Sequence, residues 1–382
     1  MSKRHWLFVV IVCCIAQPVL ACLWDHDTLQ MERSRFPDVL ELITGKFLRH
    51  SKAFYEWRIT DRSARIENGE STKELYDDLA VAYDKTGQHD KAVETIKRKD
   101  ELWPGLYETL ANHGTFLIHS GKLEDGVKLI RKAIEVNPDA HFGREVYQQL
   151  LVEYVLERKL DGKTMLPLGA RRKKEDGSIL RGSSFADFLF KKQKVDYKDR
   201  EAERKKALKG IMGMMRFGNF ESPVLLETLA DLLMDEGMPK DDGKWLAARA
   251  YLKAAYETDD DETVSAAYQM KARFAIKLHE HANIKSVARK FDEELMAANN
   301  WWVSVSNDEE KWIEAGVDVD AEFSKEYFRK LVSAESIQRE RTTAASALSK
   351  RYKVLGAVSV CCIISVIAFF IAIRASSDED GE

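Results

Sequence analysis

Apolar residues recur at helical spacing along most of the chain, and one stretch repeats its pattern. Tyr76, Leu79, Ala80 and Tyr83 fall at i, i+3, i+4 and i+7, which places them on one helical stripe. Gly87 follows where a helix end favours a left-handed residue. Ala92, Val93 and Ile96 then open a second buried stripe, which Pro104 brings to a stop. The pattern returns 34 residues later, with Gly121 answering Gly87, Ile130 answering Ile96 and Pro138 answering Pro104. Small residues answer small ones, Gly114 for Ala80 and Gly126 for Ala92. A fixed period of this length predicts one helix-turn-helix unit per repeat.

The unit resembles the tetratricopeptide repeat. The first copy carries Tyr76, Leu79, Ala80, Tyr83, Gly87, Ala92, Ile96 and Pro104, and the second keeps Leu110, Gly114, Leu117, Gly121, Ile130, Ala133 and Pro138. Two positions depart from the family's habit: His113 stands where a leucine is usual, and Lys99 where a small residue is usual. The resemblance implies an all-α fold, a TPR-type α-solenoid of antiparallel helix pairs. It also implies a non-enzymatic scaffold that grips a protein or peptide segment on the concave surface lined by the first helix of each pair. The residues expected to face that groove are Glu74, Asp77, Val81 and Asp84, then Glu108, Ala111, Thr115 and Ile118. Three carboxylates around Val81 would favour a basic or amphipathic partner. Family members that hold a terminal carboxylate use Lys and Asn here, and Asp77 and Val81 do not match them.

Around the repeats, 71–160, further helices are expected. In the N-terminal helical region, 22–70, Pro37 leads a short helix that stops at Gly45, and Ser51 caps a second that ends near Asn68 and Gly69. A helix over 144–160 with Tyr147, Leu150, Leu151 and Tyr154 on one stripe is suited to cover the open end of the repeats. The segment 158–206 holds sixteen Lys and Arg against eight Asp and Glu, and 161–206 reads as a basic linker. A second, partly repeat-like helical block, 207–349, follows. In it Leu229, Ala230, Leu233 and Gly237 match the first helix and turn, and Ala247, Tyr251 and Ala254 the second, after an insertion. Residues 227–262 carry eleven acidic side chains against four basic ones, so this block is expected to face the basic segment. Later helices are expected over 263–281, 284–299 and from 309 onward, the last broken around 316–320.

The two ends suggest an envelope protein. Residues 1–21 have the basic start, apolar run and small-residue exit of an export signal. Cys22 directly after it is a candidate for lipidation, although Leu20 makes the lipobox imperfect. Twenty uncharged residues, 354–373, flanked by Lys350, Arg351, Lys353 and Arg374, predict a single C-terminal transmembrane helix, with 374–382 an acidic tail. The basic cluster before this span would favour the opposite orientation, but an export signal commits the body to the far side first. The expectation is a single-pass membrane protein with a periplasmic body and a cytoplasmic tail.

Composition and chemistry narrow the function. A net charge of −4, with 45% hydrophobic and 32% charged residues, describes a buried helical protein with no nucleic-acid signature. The sequence has five cysteines, and four of them lie in the two apolar ends, leaving only Cys22 for the body and no internal disulfide. No nucleophile elbow, phosphate loop or Cys-x-x-Cys is present, and His279 and His281 lie about 200° apart around a helix, unlike a zinc-protease pair. Asp25, His26 and Asp27 read as a polar leader, and His113 and His119 as packed or exposed histidines. No catalytic residue, metal site or cofactor is expected. The favoured function is a membrane-tethered scaffold for a protein or peptide segment in the cell envelope. The alternative is a periplasmic sensor or carrier of a metal or small ligand held between the two helical blocks.

Overall fold

The computed structural model describes residues 25, 36–138, 140–234, 243–277 and 283–328. Helices dominate: α1 (Val39–Thr44), α2 (Lys52–Glu67), α3 (Lys73–Lys85), α4 (His89–Leu102), α5 (Tyr107–His119), α6 (Leu123–Val136) and α7 (Arg144–Arg158). After a two-stranded antiparallel hairpin of β1 (Arg172–Lys173) and β2 (Ile179–Leu180) come α8 (Phe185–Lys192), α9 (Arg200–Phe217), α10 (Pro223–Met234), α11 (Gly243–Tyr256), α12 (Glu262–Ile276), α13 (Ile284–Glu314) and α14 (Val319–Phe323). From α2 to α7 each helix packs on its sequence neighbour, and the same holds from α9 to α13, the arrangement of stacked helical hairpins.

The period is visible in the backbone. Gly87 and Gly121 both adopt left-handed conformations, φ 77° and 83°. In each turn the glycine N–H donates to a carbonyl three residues back, Asp84 or Ile118, and the next N–H reaches Tyr83 or Leu117. This caps the last carbonyls of α3 and α5 identically. The next residues, Gln88 and Lys122, share their dihedrals, φ/ψ −89°/53° and −84°/59°. Within the second pair, Gly114 and Gly126 meet face to face: a methyl built on Gly126 would lie 2.7 Å from the carbonyl oxygen of Gly114. The first pair accommodates alanines at the equivalent positions, with Ala80 and Ala92 fully buried.

Local signals set the N-terminal helices. Asp38, not Pro37, caps α1, accepting from the Glu41 N–H while Glu41 accepts from the Asp38 N–H, and Gly45 ends it at φ 78°. Ser51 caps α2 by accepting from Phe54 N–H. The far end of the solenoid returns to this point, because α13 packs on α1 and α2. The buried Glu309 carboxylate of α13 accepts from Ser51 N–H at 2.8 Å and lies 2.6 Å from His50 Nδ1. A carboxylate at a helix start suits the exposed N–H groups and the dipole there. Helix α1 also packs on α9 and α11, so this short helix is part of the core.

Two sequence expectations change. The 161–206 stretch does not link two separate domains: it folds into the same compact unit as the helices on either side of it, 36–319, and buries Phe185, Ala186, Phe188, Leu189 and Phe190 of α8. The charged residues hid an amphipathic stripe. Helix α13 does not stop at Asn299 but runs to Glu314, since its buried stripe continues through Ala298, Val305 and Glu309. The expected break does occur at Gly316, φ 65°. Beyond it, residues 320–328 belong to a separate unit, where Phe323 meets Tyr327 at a tilt and Phe328 edge-on. The export signal, Cys22, Gly237 with residues 238–242 of its insertion, His279 to His281, the 354–373 span and the acidic tail lie outside the described residues. Among the described residues no helix is long and apolar enough to cross a membrane.

Candidate functional site

The expected groove is largely a seam. Of its eight residues, Asp77, Val81, Asp84, Ala111, Thr115 and Ile118 are buried, Glu108 is half-buried and Glu74 is exposed. The reason is that successive first helices lie side by side, so this stripe of α3 meets α5 and the same stripe of α5 meets α7. Asp77 accepts from Asn112 of α5 at 3.2 Å, Asp84 lies 2.7 Å from His119 of α5, and Thr115 accepts from Gln148 of α7 at 3.0 Å. Val81 packs with Ala92, Ile96 and Phe116. The stripe is therefore corrected from a partner-facing surface to a repeat-to-repeat contact.

The odd Lys99 is explained by the same seam. Its side chain is buried and its Nζ donates to Asp77 Oδ2 at 2.6 Å. Burial pushes the Asp77 carboxyl up to about 7 even though Lys99 and Asn112 pull it down. Lys85, one residue past Asp84, reaches the other way and donates to the carbonyls of Phe217 and Gly218 at the end of α9, at 2.7 and 2.6 Å. Burial brings its ammonium down to about 8.

A different concavity stands open at the second block. A cavity of about 570 Å³ is lined by residues of the 167–184 loop, α10, α11 and α12, with Pro167, Ala170, Met234, Ala267, Met270 and Phe274 forming its apolar wall. Asp231, Tyr251, Lys271 and Ser184 supply its polar groups. Met270 and Phe274, one helical turn apart on α12, are 68% and 66% exposed, which is unusual for large apolar side chains in a folded body.

Behind the wall lies a buried charge cluster. Glu227 of α10 is fully buried and accepts four hydrogen bonds: from Leu168 N–H (2.7 Å), Gly169 N–H (3.0 Å), Tyr268 Oη (2.9 Å) and Lys271 Nζ (2.7 Å). Asp231, one turn on, accepts from Tyr251 Oη (2.6 Å), Phe185 N–H (3.0 Å) and Lys271 Nζ (3.1 Å). Burial opposes ionisation of Glu227, but Lys271 and the two backbone amides outweigh it and hold the carboxyl below its ordinary value. Burial wins at Asp231, helped by the Glu227 charge, and raises it. Arg158 fixes the loop from beneath, donating to the carbonyls of Leu168, Arg181 and Ala170.

The basic stretch and the acidic block do meet, as their charges suggested, but through backbone amides. Arg172 donates to the carbonyls of Pro167 and Leu166, while Leu168, Gly169 and Phe185 provide the N–H groups that reach Glu227 and Asp231. Sequence reasoning passed over Glu227, Asp231, Tyr268 and Lys271. The available signal was two carboxylates four apart in the otherwise apolar helix Pro223–Met234. A larger cavity of about 710 Å³ lies between α1, α11 and α13, but its Arg249 and Glu294 are already paired to each other at 2.7 Å.

Comparison with known proteins yields a partial match. No curated protein matches the chain. The tetratricopeptide repeat matches residues 74–98, which cover α3, the Gly87 turn and most of α4. Its hydrophobic stripe, its glycine turn and its packing on a second hairpin of the same geometry are all present, so residues 74–98 carry a tetratricopeptide repeat, set in a larger helical body.

Proposed function

We propose that this chain is a non-enzymatic, membrane-tethered scaffold that binds an amphipathic protein segment. The repeat carries the general reading, because stacked helical hairpins present extended surfaces for protein partners. With the seam between first helices closed, the surface that suits a partner is the cavity at α10 to α12. An apolar side chain of the partner would enter between Met270 and Phe274, and the partly exposed Lys271 and Ser184 would pair with polar groups beside it. Apolar contact would supply affinity and the Lys271 charge would set register. The 354–373 span would tether the scaffold, and the 1–21 signal would place its body outside the cytoplasm.

The test is affinity capture from native membranes with the wild type and a Met270→Glu, Phe274→Glu double variant. Both side chains are exposed, so the variant is expected to keep its melting temperature. A protein bound by the wild type and lost from the variant supports the reading. Equal capture by both moves the binding surface elsewhere, and no capture by either favours a small-ligand carrier.

A further inference from the structure

We propose that Asp84, His89 and His119 form a zinc site that pins helices α3, α4 and α5 together. The three come from different helices. Asp84 lies in the last turn of α3, His89 is the first residue of α4 just past the Gly87 turn, and His119 is the last residue of α5. The tight turn brings the first two together, and the stacking of the second hairpin on the first delivers the third.

Their donor atoms converge. His89 Nδ1 lies 2.8 Å from Asp84 Oδ1, and His119 Nδ1 lies 2.9 and 2.7 Å from Asp84 Oδ1 and Oδ2. One ligand atom from each residue falls within 4.8 Å of the others. Both imidazoles aim the same nitrogen at one carboxylate, and their ring centres are 5.9 Å apart, inclined at 66°. Zinc binds imidazole nitrogen and carboxylate oxygen at about 2.0–2.2 Å, so tetrahedral ligands stand roughly 3.4 Å from one another. Opening the observed contacts by about half an ångström, within reach of side-chain rotation, would admit the ion.

The surroundings fit a three-ligand site. The side chains of Asp84 and His119 are 3% and 1% exposed, whereas that of His89 is 27% exposed, which gives the ion a path in and leaves a fourth position for water. The neighbouring Lys85 ammonium is held by the Phe217 and Gly218 carbonyls instead of by Asp84. Two imidazoles with one carboxylate select zinc and similar transition ions over magnesium or calcium, which prefer all-oxygen sites. The bound ion would act as a clip across the junction of the two hairpins, independent of the cavity at α10 to α12.

The test uses full-length, tag-free protein in detergent, stripped of metal and titrated with zinc by calorimetry and with cobalt(II) by visible absorption. The expected results are one equivalent of zinc bound, d–d bands of a low-symmetry cobalt site and a raised melting temperature. His89→Ala, at a partly exposed helix start, should keep the wild-type helicity and weaken zinc binding by about 100-fold or more. Asp84→Asn, which preserves shape, should abolish the cobalt bands. Absence of stoichiometric zinc binding by the wild type overturns the proposal, and so does His89→Ala binding zinc as tightly as the wild type.

Discussion

Asp77→Lys is expected to destabilise the first hairpin by about 3–5 kcal/mol, because it sets a second cation against the buried Lys99 and removes the Asp77 carboxylate to which that ammonium donates. The loss should appear as an early transition in urea unfolding followed by far-ultraviolet circular dichroism. Asp77→Asn keeps the shape and an acceptor for Lys99, and is expected to fold. The same carboxyl gives a signed pH effect. Its native value is raised from 3.8 to about 7, so the folded chain holds a proton in this window that the unfolded chain has released. The associated stability is fully present below about pH 4 and is lost as pH rises through about 7. Unfolding of the wild type and Asp77→Asn across this window measures it: the wild type should lose stability relative to the variant as pH rises.

Glu227→Ala is expected to cost a comparable amount, about 3–5 kcal/mol. It strips the acceptor from two backbone N–H groups, the Tyr268 hydroxyl and part of the Lys271 ammonium at once. Leaving buried donors unpaired is costlier than never having made the bonds. The damage should spread beyond α10, because Leu168 and Gly169 anchor the 167–184 loop. Limited proteolysis should therefore cut the variant between Arg171 and Arg181 under conditions that leave the wild type intact, together with a lowered melting temperature. Glu227→Gln, which retains one acceptor oxygen, should fall between the two.

The hairpins were legible because their determinants are local. A stripe of apolar residues, a left-handed glycine and a proline fix a helical pair within one period, and Gly87 and Gly121 behave as their spacing implied. The seam was not legible in the same way. A helical wheel shows that Asp77, Val81 and Asp84 share a face, but it does not say which neighbour covers that face, and stacking of α5 beside α3 covers it. The misplaced Lys99 was the available clue: a lysine at a buried repeat position requires a buried acceptor, and Asp77 is one helix away. In the 161–206 stretch net charge outweighed the Phe185, Phe188 and Leu189 stripe that packs α8 into the core. The Glu227 cluster joins a loop and two helices separated by up to about a hundred residues of chain, and no local pattern encodes such a meeting.

Site-specific photocrosslinking in native membranes tests the central claim most directly, with a benzophenone side chain placed in turn at Phe274 by the cavity and at Glu108 on the repeat. The account predicts a discrete crosslinked protein from position 274 and none from position 108. A partner crosslinked from position 108 and absent from position 274 would contradict it and return the binding surface to the repeat hairpins.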